Sequence, residues 1–136
     1  MRFKDSHLEW EFKKSFVLLQ LLTAEFCRCS VEWFEKEPAI VRVLEDIPGA
    51  SKLHPEGRAI DFRDEFCGKF TYTEAERSRL TSHINSMLRR TDGHPTLIWH
   101  SFYDVQAERA GPFHFHMQVA AEPASYSNLM VLKTRI

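Results

Sequence analysis

At 136 residues the chain has room for one domain with a single sizeable core. Apolar residues make up 43% and charged residues 27%, which excludes both a disordered tail and a membrane-embedded chain. A formal net charge of −1 without a basic stripe argues against nucleic acid as a partner.

The first seven residues are charged, and no cleavable apolar stretch follows them. The apolar run over residues 16–24 falls short of the roughly 20 residues that a bilayer span takes. The expectation is therefore cytoplasmic synthesis without a signal peptide, and no membrane insertion. Three cysteines make no disulfide framework: Cys27 and Cys29 lie two apart in a helical pattern and Cys67 is distant, which reads as reduced thiols. The Cys27/Cys29 spacing is not that of a zinc ribbon or finger.

In chain order, Leu8, Phe12, Phe16, Leu19, Leu22 and Phe26 keep the three-four spacing of one buried helical face, predicting helix over residues 6–36 with a break near Cys29 and Ser30. Pro38 ends that pattern. Residues 39–44 are rich in β-branched side chains and predict a strand with Arg42 in its middle. Residues 46–51 are loop by their proline and glycine. A short strand then carries Ala59, Asp61 and Arg63 on one side and Ile60 and Phe62 on the other. Residues 62–72 read as an irregular connection. Thr73 with Glu76 predicts a capping box at the start of a helix whose buried stripe is Leu80, Ile84, Met87 and Leu88; Asp92 and Gly93 close it, and His83 reads as a surface residue. Residues 96–103 predict a strand with Ile98 and His100 on one side and Leu97 and Trp99 on the other. A polar connection over 104–111 leads to a strand over 112–120, and the tail offers an edge strand over 129–132.

Seven histidines are the compositional oddity. In the strand over 112–120, Phe113, Phe115 and Met117 alternate with His114, His116 and Gln118, so one face is apolar and the other polar. Should this strand neighbour the one bearing Asp61, an aspartate and two histidines converge on one face, with His54 on the loop that feeds it. That set suits Zn2+, which takes imidazole nitrogen and carboxylate oxygen and, in catalytic sites, three protein ligands plus water. The expected ligands are His54, Asp61 and His116. His114 is the non-ligand neighbour, because adjacent same-face positions on one strand rarely both aim at one small ion.

The pattern His54-x-x-Gly57-Arg58-Ala59-x-Asp61, followed by His114-x-His116, resembles the superfamily of lysostaphin-type peptidases, D-alanyl-D-alanine carboxypeptidases and hedgehog domains. The likeness is greatest to its compact phage and bacterial members of the D-alanyl-D-alanine carboxypeptidase and L-alanyl-D-glutamate peptidase type, and it covers roughly residues 38–120. The resemblance implies the same three ligands and a zinc metallopeptidase acting on the stem peptide of peptidoglycan, as carboxypeptidase or endopeptidase. It also implies a phage lysis or virion-entry setting, with the protein released to the wall or carried on a virion. Many relatives place a glutamate base three residues before the last ligand; Phe113 stands there, so His114 inherits the acid/base role.

His100 is either a second acid/base residue near the metal or a hydrogen-bonded core histidine. Arg42 either grips a substrate carboxylate, as a strand arginine does in the family, or forms a structural ion pair. Arg58 either contacts substrate or pairs with Glu56 or Asp64. The missing glutamate also favours a different class of function, a metal-binding structural or binding module that lacks the chemistry, as in hedgehog domains or a virion component. A metal-free domain is the third reading. The expected architecture is one α+β domain over residues 1–136: an antiparallel sheet of about four strands with helices on one face and an open zinc site on the other.

Overall fold

The computed structural model describes residues 1–13, 15–44, 53, 56–101, 103–104, 108–121 and 126, with only the backbone of residues 103 and 104. His54, the loop over 46–51 and the tail over 129–132 lie outside the described residues.

The described elements are β1 (Arg2–Phe3), α1 (Ser6–Phe12), α2 (Val17–Phe34), β2 (Ala39–Arg42), β3 (Ala59–Arg63), β4 (Glu65–Phe66), β5 (Lys69–Phe70), α3 (Glu74–Met87), β6 (Leu97–His100), β7 (Tyr103–Asp104), β8 (Arg109–Ala110) and β9 (His114–Gln118). Five of the strands form one sheet in the order β1-β2-β3-β9-β6, while β4-β5 and β7-β8 are separate two-stranded ribbons. The architecture is mixed α+β.

The expected four-stranded antiparallel sheet needs correction. β1 adds a fifth strand and pairs parallel with β2, anchored by Lys4 N donating to the Ile40 carbonyl at 2.9 Å. Two residues are too few to show alternation, so this edge has no signature in the sequence. The long N-terminal helix is also divided, with α1 ending at Phe12 and α2 starting at Val17, and not near Cys29. There Phe16 is extended (ψ 139°) and its N–H donates to the Gly57 carbonyl at 3.0 Å, a tertiary bond that a continuous helix would have to give up. The connection over 62–72 contains more order than expected, since β4 and β5 form a hairpin turning through Cys67 and Gly68, both at positive φ.

One face of the sheet carries Ile40, Ile60, Phe62, Phe115, Met117 and Leu97, all buried, and takes the helices. Phe26 of α2 stacks on Phe62 with centroids 4.3 Å apart and meets Phe115 edge-on at 5.3 Å. Leu80, Ile84 and Met87 are the buried residues of α3. The capping box at Thr73 and Glu76 is formed, with both reciprocal hydrogen bonds in place.

A buried hub ties this layer to the sheet. Asp64, fully buried, accepts from Tyr72 N at 2.9 Å, Trp99 Nε1 at 2.8 Å and Arg77 Nη1 at 3.2 Å. Three donors satisfy a carboxylate that would otherwise be very costly to bury.

Candidate metal centre

The opposite face is built by register. β3 and β9 are adjacent and antiparallel, with Asp61 directly across from His116 and Arg63 across from His114. On the other flank of β9, His100 of β6 lies across from His114 and Ile98 across from His116. Because paired residues share a face, Asp61, His100, His114 and His116 are gathered on one surface by two independent pairings.

Arg42 joins them through an irregularity. Ile40 pairs with Phe62 on the apolar face, yet Arg42 pairs with Asp61, so β2 advances two residues where β3 advances one. Regular alternation would have kept Arg42 on Ile40's side. The bulge turns it to the polar face, where Arg42 Nε lies 3.1 Å from Asp61 Oδ2 and both side chains are buried.

The Asp61 carboxylate is thus divided between neighbours. Oδ2 faces Arg42 and lies 3.6 Å from His114 Nε2, while Oδ1 is 2.8 Å from His116 Nδ1. His116 Nε2 is 3.2 Å from Gln118 Oε1, and Gln118 Nε2 donates to the Pro95 carbonyl at 3.4 Å. That chain of bonds sets the tautomer. A carbonyl only accepts, so the amide nitrogen of Gln118 faces Pro95 and its oxygen faces His116, which places a proton on His116 Nε2. Nδ1 then meets Asp61 Oδ1 either as a second N–H of an imidazolium or as a lone pair that needs a shared cation between the two atoms.

The same reasoning applies to His114. Its Nδ1 is 3.1 Å from the Pro112 carbonyl and must be the donor, leaving Nε2 as the basic nitrogen on the side of Asp61. Burial pushes the His114 pKa down, against the pull of Asp61. Burial also lowers the His100 pKa, followed by the neighbouring His114 and His116. The His100 ring lies 4.8 Å from that of His114 and 5.5 Å from that of His116, and its buried Nε2 has no hydrogen-bond partner among the described residues.

A divalent cation suits this donor set. Carboxylate oxygen and imidazole nitrogen, with the His100 Nε2 that has no hydrogen-bond partner among the described residues, are donor types zinc takes. Asp61 Oδ1 and His116 Nδ1 stand at a hydrogen-bonding 2.8 Å, however, and would have to part to the roughly 3.3–3.6 Å of two zinc ligands. Asp61 Oδ1 and His116 Nδ1 are the atoms that would hold it, and the oriented Nε2–H of His116 is the outer-shell bond that metal-binding histidines usually make.

Beside these residues runs a cleft of about 360 Å³ whose lining includes Lys4, Arg42, Asp61, Arg63, Phe66 and His114. Arg63 lies over the Phe66 ring at 4.1 Å. Arg58 is not on this lining; its Nε is 3.1 Å from Glu56 Oε2. Phe113 stacks on Trp99 with centroids 4.2 Å apart and planes at 14°.

Gln118, Arg63 and Lys4 are the neighbours that sequence reasoning did not assign to the site. The alternation of β9 put Gln118 on the histidine face and was the available signal for it; nothing local marks Lys4, which arrives through the parallel pairing of β1. No protein-family model, curated protein or solved structure matches the chain.

Proposed function

We propose that this chain is a zinc-dependent peptidase that hydrolyses a peptide bond in the stem peptide of peptidoglycan. The observation that carries the reading is the convergence of Asp61, His100, His114 and His116 on one sheet face beside a cleft edged by Arg42 and Arg63. Asp61 and His116 would hold the metal together with His54. Zinc, when bound, supplies a Lewis acid and a water whose pKa falls from ~15.7 toward ~7.

The chain's own residues supply the rest. His114 presents a basic Nε2 because its Nδ1–H is committed to the Pro112 carbonyl, so this imidazole is oriented to take a proton and return it to a leaving amine. His100 stands against His114 and offers a second imidazole for the developing charge. Lys4 and Arg63 place positive charge along a lining that also holds Glu65, and a substrate carboxylate would be drawn to them and would compete with Asp61 for Arg42, while Phe66 and Phe113 give the walls apolar surface.

The test is release of muropeptides from purified peptidoglycan by zinc-loaded protein, compared with His116→Ala and His114→Ala, with bound metal measured in each. Wild type should release product, His116→Ala should lose both metal and activity, and His114→Ala should keep metal while losing most activity. Release by wild type no greater than by His116→Ala defeats the reading. One observation favours a non-catalytic metal-binding module instead: Phe113, packed flat on Trp99, offers no base at its position. Stoichiometric metal in a wild type without turnover would establish that alternative.

A further inference from the structure

The seam between α2 and α3 carries a second cluster of metal-compatible side chains, outside the polar face of the sheet. Glu25 and Cys29 stand one turn apart on α2, at i and i+4, and therefore project to the same side. His83 meets them from α3, its ring set edge-on against Trp33 with centroids 5.0 Å apart at 72°. Glu25 Oε1 is the common point, 3.3 Å from Cys29 Sγ and 3.4 Å from His83 Nε2, and the three ligand atoms all lie within 4.8 Å of one another.

Those lengths can be compared with what an ion requires. Tetrahedral zinc with Zn–S near ~2.3 Å and Zn–N and Zn–O near ~2.0–2.2 Å separates its ligand atoms by roughly 3.3–3.6 Å. Two edges of the triangle already have that length. The donor types agree as well, since thiolate, imidazole and carboxylate are the three side chains that zinc sites combine.

The cluster also holds a cation already. The Arg28 guanidinium is in close contact with Glu25, and its Nη2 lies 3.4 Å from Cys29 Sγ. Its Nε donates to Glu25 at 3.0 Å and its Nη1 pairs with Glu32 at 2.6 Å, and the side chain is 47% exposed, so Arg28 can withdraw toward Glu32 and solvent without leaving its charge unpaired. Beneath it Cys29 is fully buried.

We propose that Glu25, Cys29 and His83 form a second site for a thiophilic divalent cation, which pins α2 to α3 and which Arg28 fills when no metal is bound. Binding breaks the Arg28 contacts, forms one bond each from Glu25 oxygen, Cys29 sulfur and His83 nitrogen, and releases the Cys29 thiol proton to solvent. No electron is transferred, and water completes the coordination. The site is independent of the sheet face, where none of the metal-facing residues is a cysteine.

Titration of the reduced full chain with Cd2+ tests this, read by the ultraviolet charge-transfer band that only a metal-bound thiolate produces. Wild type should develop the band with one equivalent per chain at this site, and Cys27→Ser and Cys67→Ser should keep it. Cys29→Ser should abolish it. His83→Gln should weaken binding by more than about tenfold, since even outer-shell losses cost 10–100-fold. Arg28→Ala should tighten binding, because it removes the competing guanidinium. No band in wild type, a band that survives Cys29→Ser, undiminished affinity in His83→Gln, or weaker binding in Arg28→Ala would each overturn the proposal. Because the band reports sulfur, it gives the same answer whether or not the sheet face hydrolyses peptides.

Discussion

Replacing Gln118 with leucine tests the link between fold and metal centre most directly. The side chain is nearly buried and makes two bonds, accepting from His116 Nε2 at 3.2 Å and donating to the Pro95 carbonyl at 3.4 Å. Leucine has similar volume and neither bond. A neutral hydrogen bond contributes about 0.5–1.5 kcal/mol, so losing the two should cost the fold about 1–3 kcal/mol, toward the lower end because each is long for its type. The metal should feel the loss as well. Without an acceptor at Nε2 the His116 proton is no longer held there, and the lone pair aimed at Asp61 Oδ1 competes with the other tautomer. Loss of such an outer-shell bond costs about 10–100-fold in metal affinity, or ~1.4–2.7 kcal/mol. The assay is zinc affinity by competition with a chromophoric chelator, using wild type, Gln118→Leu and Gln118→Glu. Glutamate restores an acceptor oxygen for Nε2–H and should bind nearer to wild type than leucine does. Equal affinities for wild type and the leucine variant, or a glutamate variant as weak as leucine, would refute the tautomer argument.

Further expectations concern the scaffold. Asp64→Ala removes the acceptor for Tyr72 N, Trp99 Nε1 and Arg77 Nη1 together; breaking a buried ion pair on one side costs about 3–5 kcal/mol, readable in urea unfolding, and a loss under ~1 kcal/mol would contradict the hub. Phe26→Ala empties the space between Phe62 and Phe115 and should cost about 3–5 kcal/mol in the same measurement. Thr73→Ala deletes the capping-box hydroxyl and should lower stability by about 1 kcal/mol, seen as a drop in melting temperature. Burial pushes the Cys27 thiol up to about 11 and the Cys29 thiol up to about 12, whereas Cys67 is exposed. At pH 8 a bulky thiol reagent should therefore label Cys67 rapidly and the other two only on unfolding, counted by mass spectrometry.

The sequence by itself determined the local patterns and the chemistry they imply. Alternation divides β9 between Phe115 and Met117 on one face and His114, His116 and Gln118 on the other, and three-four spacing marks the buried stripe of α3 behind its Thr73 cap. These are legible because side-chain direction repeats with the period of the backbone, whatever lies across from it. Only the tertiary structure decided which strands meet and in what register. Asp61 faces His116 because β3 and β9 are neighbours, Arg42 faces Asp61 because β2 bulges, and the first long helix breaks where Phe16 donates to Gly57. Asp64, named from the sequence only as a possible partner of Arg58, is instead enclosed by Trp99, Arg77 and Tyr72. Such choices are made by partners tens of residues away, through burial and hydrogen bonding that no window of neighbouring residues contains.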